Sequence, residues 1–584
     1  MTNRDLARAF ERLAELNEVS GASPFKVIAY QKVARLLGEL DRPASEMSRA
    51  ELTNLNGVGT GTADRILELN ETGTTQELAD LEAEVPAGVL EVMRVPGIGP
   101  KSAALFWKEA GVIDLVGLRA KLDTGELARL KGFGPKKLDH IRRGLDFAAE
   151  AQQRKRIDVA YALATELVDA MRAVPGVARA EYAGSLRRGL ETIGDVDVLV
   201  ALEEPGDSAA KAAAFDAFAG HPRQTEVILR GQTKCSIRTD VGMQADLRVV
   251  APESFGAAWM YFTGSKEHNV RMRERATAMG LTLNEYGLAD KAAGDDRKTN
   301  RPNAAAEEAV FRDLNLRWIP PELREDHGEL EAADLSTGTG LPDLVGFDAV
   351  VAELHAHTTA SDGVWSIDEL ADAALQRGCH TVAVTDHSKG QVQANGLSDD
   401  RLRRHIDDVH AAGAARKDIR ILAGSEVDIR TDGRLDYPDE LLEALDVVVA
   451  SPHASLQQDP ATATRRLLRA IESGRVHIMG HPTGRLVLRR EGMSPDIRKL
   501  CRAAAANNVA MEINANAYRL DLRDHHARIA LEEGCKLSVN TDAHGPGNMA
   551  HLRFGIATAR RAGATADDII NCWPRRRLLD WLTR

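Results

Sequence analysis

Asp195 and Asp197 take alternate positions in the run Asp195-Val196-Asp197-Val198-Leu199-Val200-Ala201-Leu202. Alternate residues of a strand share a face, so this spacing predicts two carboxylates side by side, with Val196 and Val198 turned into a core. Adjacent carboxylates repel unless a cation lies between them, and Mg2+ favours a few carboxylates completed by substrate phosphates. A third carboxylate, Asp246 in Gln244-Ala245-Asp246-Leu247-Arg248, falls on a separate predicted strand, 243–251. Three aspartates around two metal ions suit in-line attack of a hydroxyl on a phosphate. Upstream, Gly184-Ser185-Leu186-Arg187-Arg188-Gly189 opens a turn into a helix. There Ser185 and neighbouring amides can hold phosphate oxygens and Arg188 can add a charge-assisted contact. A D-x-D pair alone is most often a solvated strand edge, and it is this company that singles the pair out.

The histidines carry a second chemistry. Thirteen of 17 lie from His355 onward, in short groups. His355 and His357, two apart at a strand's end, can aim both imidazoles at one point, and Asp362 can fold back from the next loop. Comparable groups follow: Thr385-Asp386-His387, Gly424-Ser425-Glu426, Ser451-Pro452-His453, Gly480-His481-Pro482 and Asn540-Thr541-Asp542-Ala543-His544. Imidazole with carboxylate suits Mn2+, Zn2+ or Fe2+, and the absence of thiolates argues against a closed structural zinc. Clustered cations activate a bound water and hold a phosphate, the requirements of phosphoester hydrolysis. Asp386 is expected to orient a ligand from behind, and His405, His410, His525 and His526 to lie on the surface or behind the ligands.

The elements that must position these residues are legible in outline. After Val350, apolar strands at 381–384, 421–424, 447–450, 478–480, 510–513 and 537–539 alternate with amphipathic helices, which implies βα units and a parallel sheet. In a closed parallel barrel the active site lies at the C-terminal strand ends, where the histidines fall. Between residues 155 and 255 a helix at 158–173 and strands at 180–183, 195–202, 225–230 and 243–251 read as α/β. Before that the chain reads helical from Asn3, broken at Ser20-Gly21-Ala22-Ser23-Pro24. Three repeats follow: Leu55-Asn56-Gly57-Val58-Gly59, Val95-Pro96-Gly97-Ile98-Gly99-Pro100-Lys101 and Leu130-Lys131-Gly132-Phe133-Gly134-Pro135-Lys136. Two glycines around one buried apolar residue turn the chain sharply and present N–H groups at a helix start, where an anion is favoured. The 584 residues suffice for three to five domains at roughly 100–200 residues each, and the net charge of −12 disfavours a uniformly nucleic-acid-binding surface. That average hides ten Lys/Arg against five Asp/Glu over 95–145 and two against nine over 51–94. Contact with a polyanion should therefore be local and salt-dependent.

These motifs resemble known families. The glycine repeats look like helix-hairpin-helix motifs, which implies backbone contacts to DNA by Gly57, Gly59, Gly97, Gly99, Lys101, Gly132, Gly134 and Lys136. The segment 184–197 with Asp246 resembles the nucleotidyltransferase palm of family-X DNA polymerases, and Tyr261-Phe262-Thr263-Gly264-Ser265 that family's sugar-checking motif. The resemblance implies metal ligation by Asp195, Asp197 and Asp246, with Mg2+ or Mn2+. It also implies a nucleotide pocket of Gly184, Ser185, Arg188, Gly194, Tyr261, Phe262, Gly264 and Asn269, and DNA contact by Arg273 and Lys26. Where family members with lyase activity use a lysine after the first hairpin, this chain has Arg65, a guanidinium that stays protonated, so lyase activity of that type is not expected. The histidine groups resemble the PHP family, a distorted (β/α)7 barrel binding up to three Mn2+, Zn2+ or Fe2+. Its nine ligand positions fall on His355, His357, Asp362, His387, Glu426, His453, His481, Asp542 and His544.

The expected fold is multidomain, α+β and α/β. It comprises a helical helix-hairpin-helix domain over 1–90, fingers with two further hairpins over 91–150, a palm with a mixed sheet over 151–255, a small thumb over 256–325, a linker over 326–349 and a PHP barrel over 350–584. The resemblance implies a repair polymerase that fills short gaps, acting on gapped or primer–template DNA and dNTPs. Its PHP part implies a Mn2+-dependent 3′-5′ exonuclease that can also cleave abasic sites. Two other readings stay open: a PHP phosphatase of a small metabolite tethered to nucleic acid, and a non-catalytic DNA scaffold. Five scattered cysteines and no apolar stretch near 18 residues point to a cytoplasmic, nucleoid-associated monomer away from membranes.

Overall fold

The computed structural model describes residues 1–583 except 41, 56, 94, 96, 153, 205 and 291–304. Asn56 and Pro96 of the glycine repeats lie outside the described residues. Two compact units form. One is Met1–Gln152 with Leu488–Glu491 and Gly545–Gly547; the other is the remainder.

The first unit is helical. Its opening helices, Asn3–Ser20 and Pro24–Glu39, part where predicted; Thr2 and Asp5 form a capping box and left-handed Gly21 ends the first. The three glycine repeats share one geometry. Val58, Ile98 and Phe133 are buried, and each donates its N–H to the carbonyl three residues back: Leu55 (3.1 Å), Val95 (2.9 Å) and Leu130 (3.2 Å). The first glycine of each pair is left-handed, with φ of 88°, 90° and 90° at Gly57, Gly97 and Gly132. Gly59 and Gly99 are extended and cap helices Thr60–Thr72 and Pro100–Ala110, while Gly134 precedes Pro135–Gln152.

The second unit begins with seven strands: β1 (Lys155–Arg156), β2 (Val177–Tyr182), β3 (Thr192–Ile193), β4 (Asp195–Leu202), β5 (Gln224–Arg230), β6 (Lys234–Thr239) and β7 (Gln244–Val250). Five of them form a mixed sheet of order β2-β4-β7-β6-β5, in which only β4 and β7 run parallel. Val196, Val198 and Val200 turn into its core. β6 was not foreseen, because Lys234, Ser236 and Arg238 dilute its two apolar residues, Cys235 and Ile237. β1 and β3 form a separate antiparallel pair immediately before Asp195.

Helices Phe255–Thr263 and Lys266–Ala278, the hairpin of β8 (Leu281–Asn284) and β9 (Gly287–Asp290), and helix Glu307–Asp313 enclose a core of Met260, Met272, Phe311 and Leu314. The segment 326–349 reads as linker from its acidic, small-residue composition, yet it carries helix Glu329–Ala333, whose Leu330 and Ala333 join this core. Composition misleads there because Glu329 is buried and satisfied: it accepts from the N–H groups of Asp326 (3.0 Å) and His327 (2.7 Å) and faces His268 Nδ1 at 2.8 Å.

Seven parallel strands complete the unit: β10 (Ala352–Glu353), β11 (Thr381–Val384), β12 (Arg420–Asp428), β13 (Val447–Ser451), β14 (Ile478–Met479), β15 (Ala510–Asn514) and β16 (Leu537–Asn540), paired in chain order. The ring closes where Ala356 bridges Ala543 and His357 N donates to Ala543 O at 2.9 Å. All four residues of β11 and of β16 are buried, as expected of a parallel sheet covered by helices. β12 runs four residues beyond its predicted end because Val427 still faces the core, so Glu426 projects from the strand itself.

Candidate functional site

Parallel pairing sets Asp197 directly opposite Asp246 across β4 and β7. With Asp195 they offer one carboxylate oxygen each, all within 4.8 Å of one another. Burial, then the charges of Asp195 and Asp246, push the Asp197 carboxyl up to about 7. Burial works on Asp246 as well but is outweighed by its hydrogen bonds, chiefly from Lys234, which hold it below the usual range. Lys234 Nζ stands 2.6 Å from Asp246 Oδ2, and Gln244 Nε2 donates to Oδ1 at 3.0 Å. Gly184 is required where it stands: φ is 66°, and a Cβ there would lie 2.7 Å from Asp197 Oδ2.

The helix Gly184–Arg187 places Ser185, half-buried, beside this cluster. The two arginines behind it diverge. Arg187 is held by Glu307, which also binds buried Arg324 at 2.7 Å. Arg188 donates from Nε to Glu325 (3.0 Å) and from Nη1 to the Thr263 carbonyl, against Gly264. The Tyr261 and Phe262 rings pack edge to face at 5.3 Å, with Arg248 over Phe262 at 4.5 Å. Asn269 Nδ2 donates to Tyr261 O at 2.7 Å and leaves its buried Oδ1 without a partner. Arg273 is exposed on the same helix, and Gly194 lies next to Asp195. In the helical unit Lys101 and Lys136 are exposed beside their hairpins. Lys26 pairs with Glu77 at 2.8 Å, as does Arg65.

The structure gathers all nine histidine-rich residues at one end of the barrel. Glu426 is central: His387 Nδ1 (2.7 Å), His453 Nε2 (3.2 Å), His481 Nε2 (3.3 Å), His355 Nε2 (3.6 Å) and His357 Nε2 (3.7 Å) surround its two oxygens. Asp542 faces His357 at 3.1 Å and His355 at 3.6 Å, while Asp362 faces His544 at 3.3 Å and His387 at 3.5 Å. Burial opposes the charge on Glu426, but His453, His387 and His355 outweigh it and hold the carboxyl far below the usual range. Burial, with His544 and His387 adding to it, lowers His357 to about 4. Burial likewise opposes a charge on His355, but Glu512, Asp542 and Glu426 overcome it and raise the imidazole. Close as these atoms stand, the contacts of both Glu426 oxygens, His355 Nε2, His357 Nδ1 and His387 Nδ1 lack hydrogen-bond geometry, and all five atoms are buried. Such groups are costly to bury unless something polar fills the space between them. Imidazole and carboxylate donors converging in three- and four-residue groups fit divalent cations.

Sequence reasoning missed the residues behind the donors. Glu512 on β15, fully buried, faces His355 Nδ1 at 2.7 Å and His481 Nδ1 at 3.2 Å, and accepts from His481 N and Asn540 Nδ2. Asp428 faces His453 Nδ1 at 2.5 Å. Each fixes which imidazole nitrogen points inward. Glu512-Ile513-Asn514 was readable only as part of an apolar strand, although its two polar residues share a face. Asp386 stands behind a ligand position as expected, but the position it serves is the carboxylate Asp362 and not an imidazole. It accepts from Thr358 N and Oγ1, Ser361 N and Oγ, and faces His405 Nε2 at 2.9 Å. It thus folds the loop that carries Asp362, because it leaves β11 pointing toward β10. Buried His405 is its partner, whereas His410 and His525 are exposed.

Family models match the helical unit, the segment after the mixed sheet and most of the barrel. A helix-hairpin-helix domain model matches residues 1–75, and a SAM-like helix-hairpin-helix tandem matches 49–105 and 89–146. A DNA polymerase beta thumb matches 258–325 and a PHP domain 353–516. The chain is 35% identical to the DNA polymerase/3′-5′ exonuclease PolX of Bacillus subtilis, over 98% of this chain and 97% of that protein. Probable phosphatases of Syntrophotalea carbinolica (28% identical) and Enterobacter sp. (30%) align with 38% and 39% of this chain and 90% and 93% of their own lengths. With the palm, the thumb and the histidine-lined barrel on one chain, this protein belongs to the family-X DNA polymerases that carry a C-terminal PHP domain.

Proposed function

We propose that the chain fills short gaps in DNA at Asp195, Asp197 and Asp246 and shortens 3′ ends at the barrel site. The observation that carries this reading is the presence of both clusters, each complete, on one chain. At the first, the three aspartates hold Mg2+ or Mn2+, Ser185 and the amides from Gly184 receive phosphate oxygens, and Arg188 braces the Thr263-Gly264 turn. Gly194 keeps the backbone open beside Asp195. Tyr261, Phe262 and Gly264 form the sugar platform, and Asn269 Oδ1 is an acceptor available to an incoming dNTP. Lys234 holds Asp246 in place. Cations held by these three aspartates would supply charge neutralisation for the phosphate and lower the pKa of the primer hydroxyl.

At the barrel the nine residues from His355 to His544 hold up to three ions of Mn2+, Zn2+ or Fe2+, with Mn2+ the form that shortens DNA. Ions held there would supply an activated water and charge neutralisation for phosphodiester hydrolysis, chemistry that would also serve cleavage at abasic sites. Glu512 and Asp428 keep the imidazoles in the binding tautomer. DNA is held by the hairpin amides with Lys101 and Lys136, by Arg273 near the palm, and by Lys26 once its pair with Glu77 gives way to a phosphate. The protein acts as a monomer in the cytoplasm, at the nucleoid.

The test is a 5′-labelled primer in a one-nucleotide-gapped duplex with Mn2+, with and without dNTPs. Asp195→Ala/Asp197→Ala should abolish extension and spare shortening; His355→Ala/His357→Ala should do the reverse. A chain that does neither but hydrolyses a small phosphate ester would be the phosphatase suggested by the relatives that align with its barrel half alone.

A further inference from the structure

Glu191 belongs to the palm, in the turn between Arg188 and Asp195, yet its carboxylate points into the barrel. It accepts both ends of the Arg485 guanidinium, Nη1 on Oε1 at 2.9 Å and Nη2 on Oε2. The Arg485 side chain is 2% exposed. It also donates to the Leu520 carbonyl at 2.5 Å. Arg485 lies in the loop after β14, four residues past His481, and Leu520 lies in the loop that follows β15. Asp521 Oδ2 joins the two, accepting from Thr483 N (3.0 Å), Thr483 Oγ1 (2.8 Å) and Gly484 N (3.0 Å). A second contact runs alongside: Arg156 on β1 stacks over the Tyr518 ring at 3.6 Å, and Val487 N donates to Tyr518 O at 2.7 Å.

What these loops carry makes the bracing consequential. His481 has φ +21° and Leu520 φ +41°, both in the left-handed region that side chains disfavour. Such conformations persist only where the surroundings hold them. Arg485 is bonded to Leu520, whose neighbour Asp521 holds Thr483 and Gly484, and Gly484 N donates in turn to the His481 carbonyl at 2.9 Å, so the two strained points are joined through this loop pair, with Glu191 supplying the counter-charge of Arg485. A buried guanidinium that loses its carboxylate is strongly destabilised and will move toward water, taking the loop with it.

We propose that Glu191 is a positioning residue for the histidine-rich metal centre: a palm carboxylate that, through Arg485, fixes His481 and thereby the affinity of that centre for its cations. This rests on the reading of His481 as a metal ligand. Because coupling is reciprocal, cations at the barrel should in turn steady the turn that leads into Asp195.

The experiment titrates the metal-free full chain with Mn2+, following free Mn2+ by electron paramagnetic resonance, and measures primer shortening and extension on the same preparations. Glu191→Gln should weaken the barrel Mn2+ at least tenfold and raise the Mn2+ needed for half-maximal shortening in parallel. At saturating Mn2+ shortening should return to within about threefold of wild type, with extension also within threefold. Arg485→Gln should show the same defect, and the double variant no more than either alone. Should Glu191→Gln fail to fold, Arg485→Lys, which keeps the charge and loses the fork, carries the same expectation. Unchanged Mn2+ affinity, additive effects, or joint loss of extension and shortening would overturn the proposal. His481→Ala separates the two failures: if it too leaves Mn2+ binding unchanged, the ligand reading falls and the proposal with it.

Discussion

In the metal-free protein, Asp197 and Glu512 are carboxylates with opposite fates. Asp197 is pushed up to about 7 by burial and its two neighbours. A carboxyl whose folded pKa is raised contributes stability that is complete below its ordinary value near 3.8 and is lost as pH rises through the folded value. Asp197→Asn should therefore match wild type in melting temperature at pH 4, exceed it increasingly up to pH 8 without metal, and lose that advantage when Mg2+ is added. Glu512 is held low, at about 2: burial opposes its charge, and His355 and His481 outweigh that. Removing such an orienting partner typically costs a factor of about 10–100 in metal affinity. Glu512→Gln should thus lower the Mn2+ retained per chain after desalting, measured by mass spectrometry, while primer extension is kept. The donors themselves were legible because strand period and strand ends announce them: Asp195 and Asp197 by alternation, His355 and His357 likewise. Glu512 was not, because nothing in Ala510-Met511-Glu512-Ile513-Asn514 says which face looks into the ring until β14 and β16 flank it.

At the scale of the element, the hairpins separate two duties of glycine. Gly57 is left-handed with open space around it, so Gly57→Ala should cost about 1 kcal/mol of stability through backbone strain alone. Gly59 and Gly134 are not left-handed, and a Cβ on either would touch nothing in the protein. The Gly59→Ala/Gly134→Ala variant should melt within about 0.5 kcal/mol of wild type, yet bind duplex DNA several-fold more weakly by fluorescence anisotropy if, as proposed above, the hairpin amides receive DNA phosphates. The repeat was readable from residue spacing, as were the order and most limits of the barrel strands. β6 and helix Glu329–Ala333 were not, since each depends on partners distant in sequence: β5 and β7 for the first, His268 for the second.

Across the second unit, the palm and the barrel are joined by charge as well as by chain. Arg561 donates to the Arg188 carbonyl (3.0 Å) and to Glu325 (2.8 Å), Arg560 to Glu322 (2.7 Å), and Arg485 to Glu191. Glu325 serves Arg188 of the palm and Arg561 of the barrel at once. A ligand that binds only the folded state adds about 2.7 kcal/mol at a hundredfold excess over its Kd. Saturating Mn2+ should therefore raise one shared calorimetric transition for palm and barrel together. His355→Ala/His357→Ala should reduce that rise, and Arg560→Ala/Arg561→Ala should split the transition in two. None of this was visible in the sequence: Glu191 and Arg485 stand 294 positions apart, and each alone reads as an ordinary surface charge.

The closed ring also sets an order of events at the ribosome. Its donors begin at His355 and end at His544, and Ala356 must meet Ala543 before the end of β10 has its neighbour. The palm aspartates and the thumb, by contrast, are complete well before. With synthesis at about 5–20 residues per second, the stretch between the thumb and the last donors, roughly 200 residues, takes about 10–40 seconds. For that interval the nascent chain holds all three aspartates and the thumb but lacks the full set of barrel donors. Glu191 is by then already made, while the arginine that will bury against it is not.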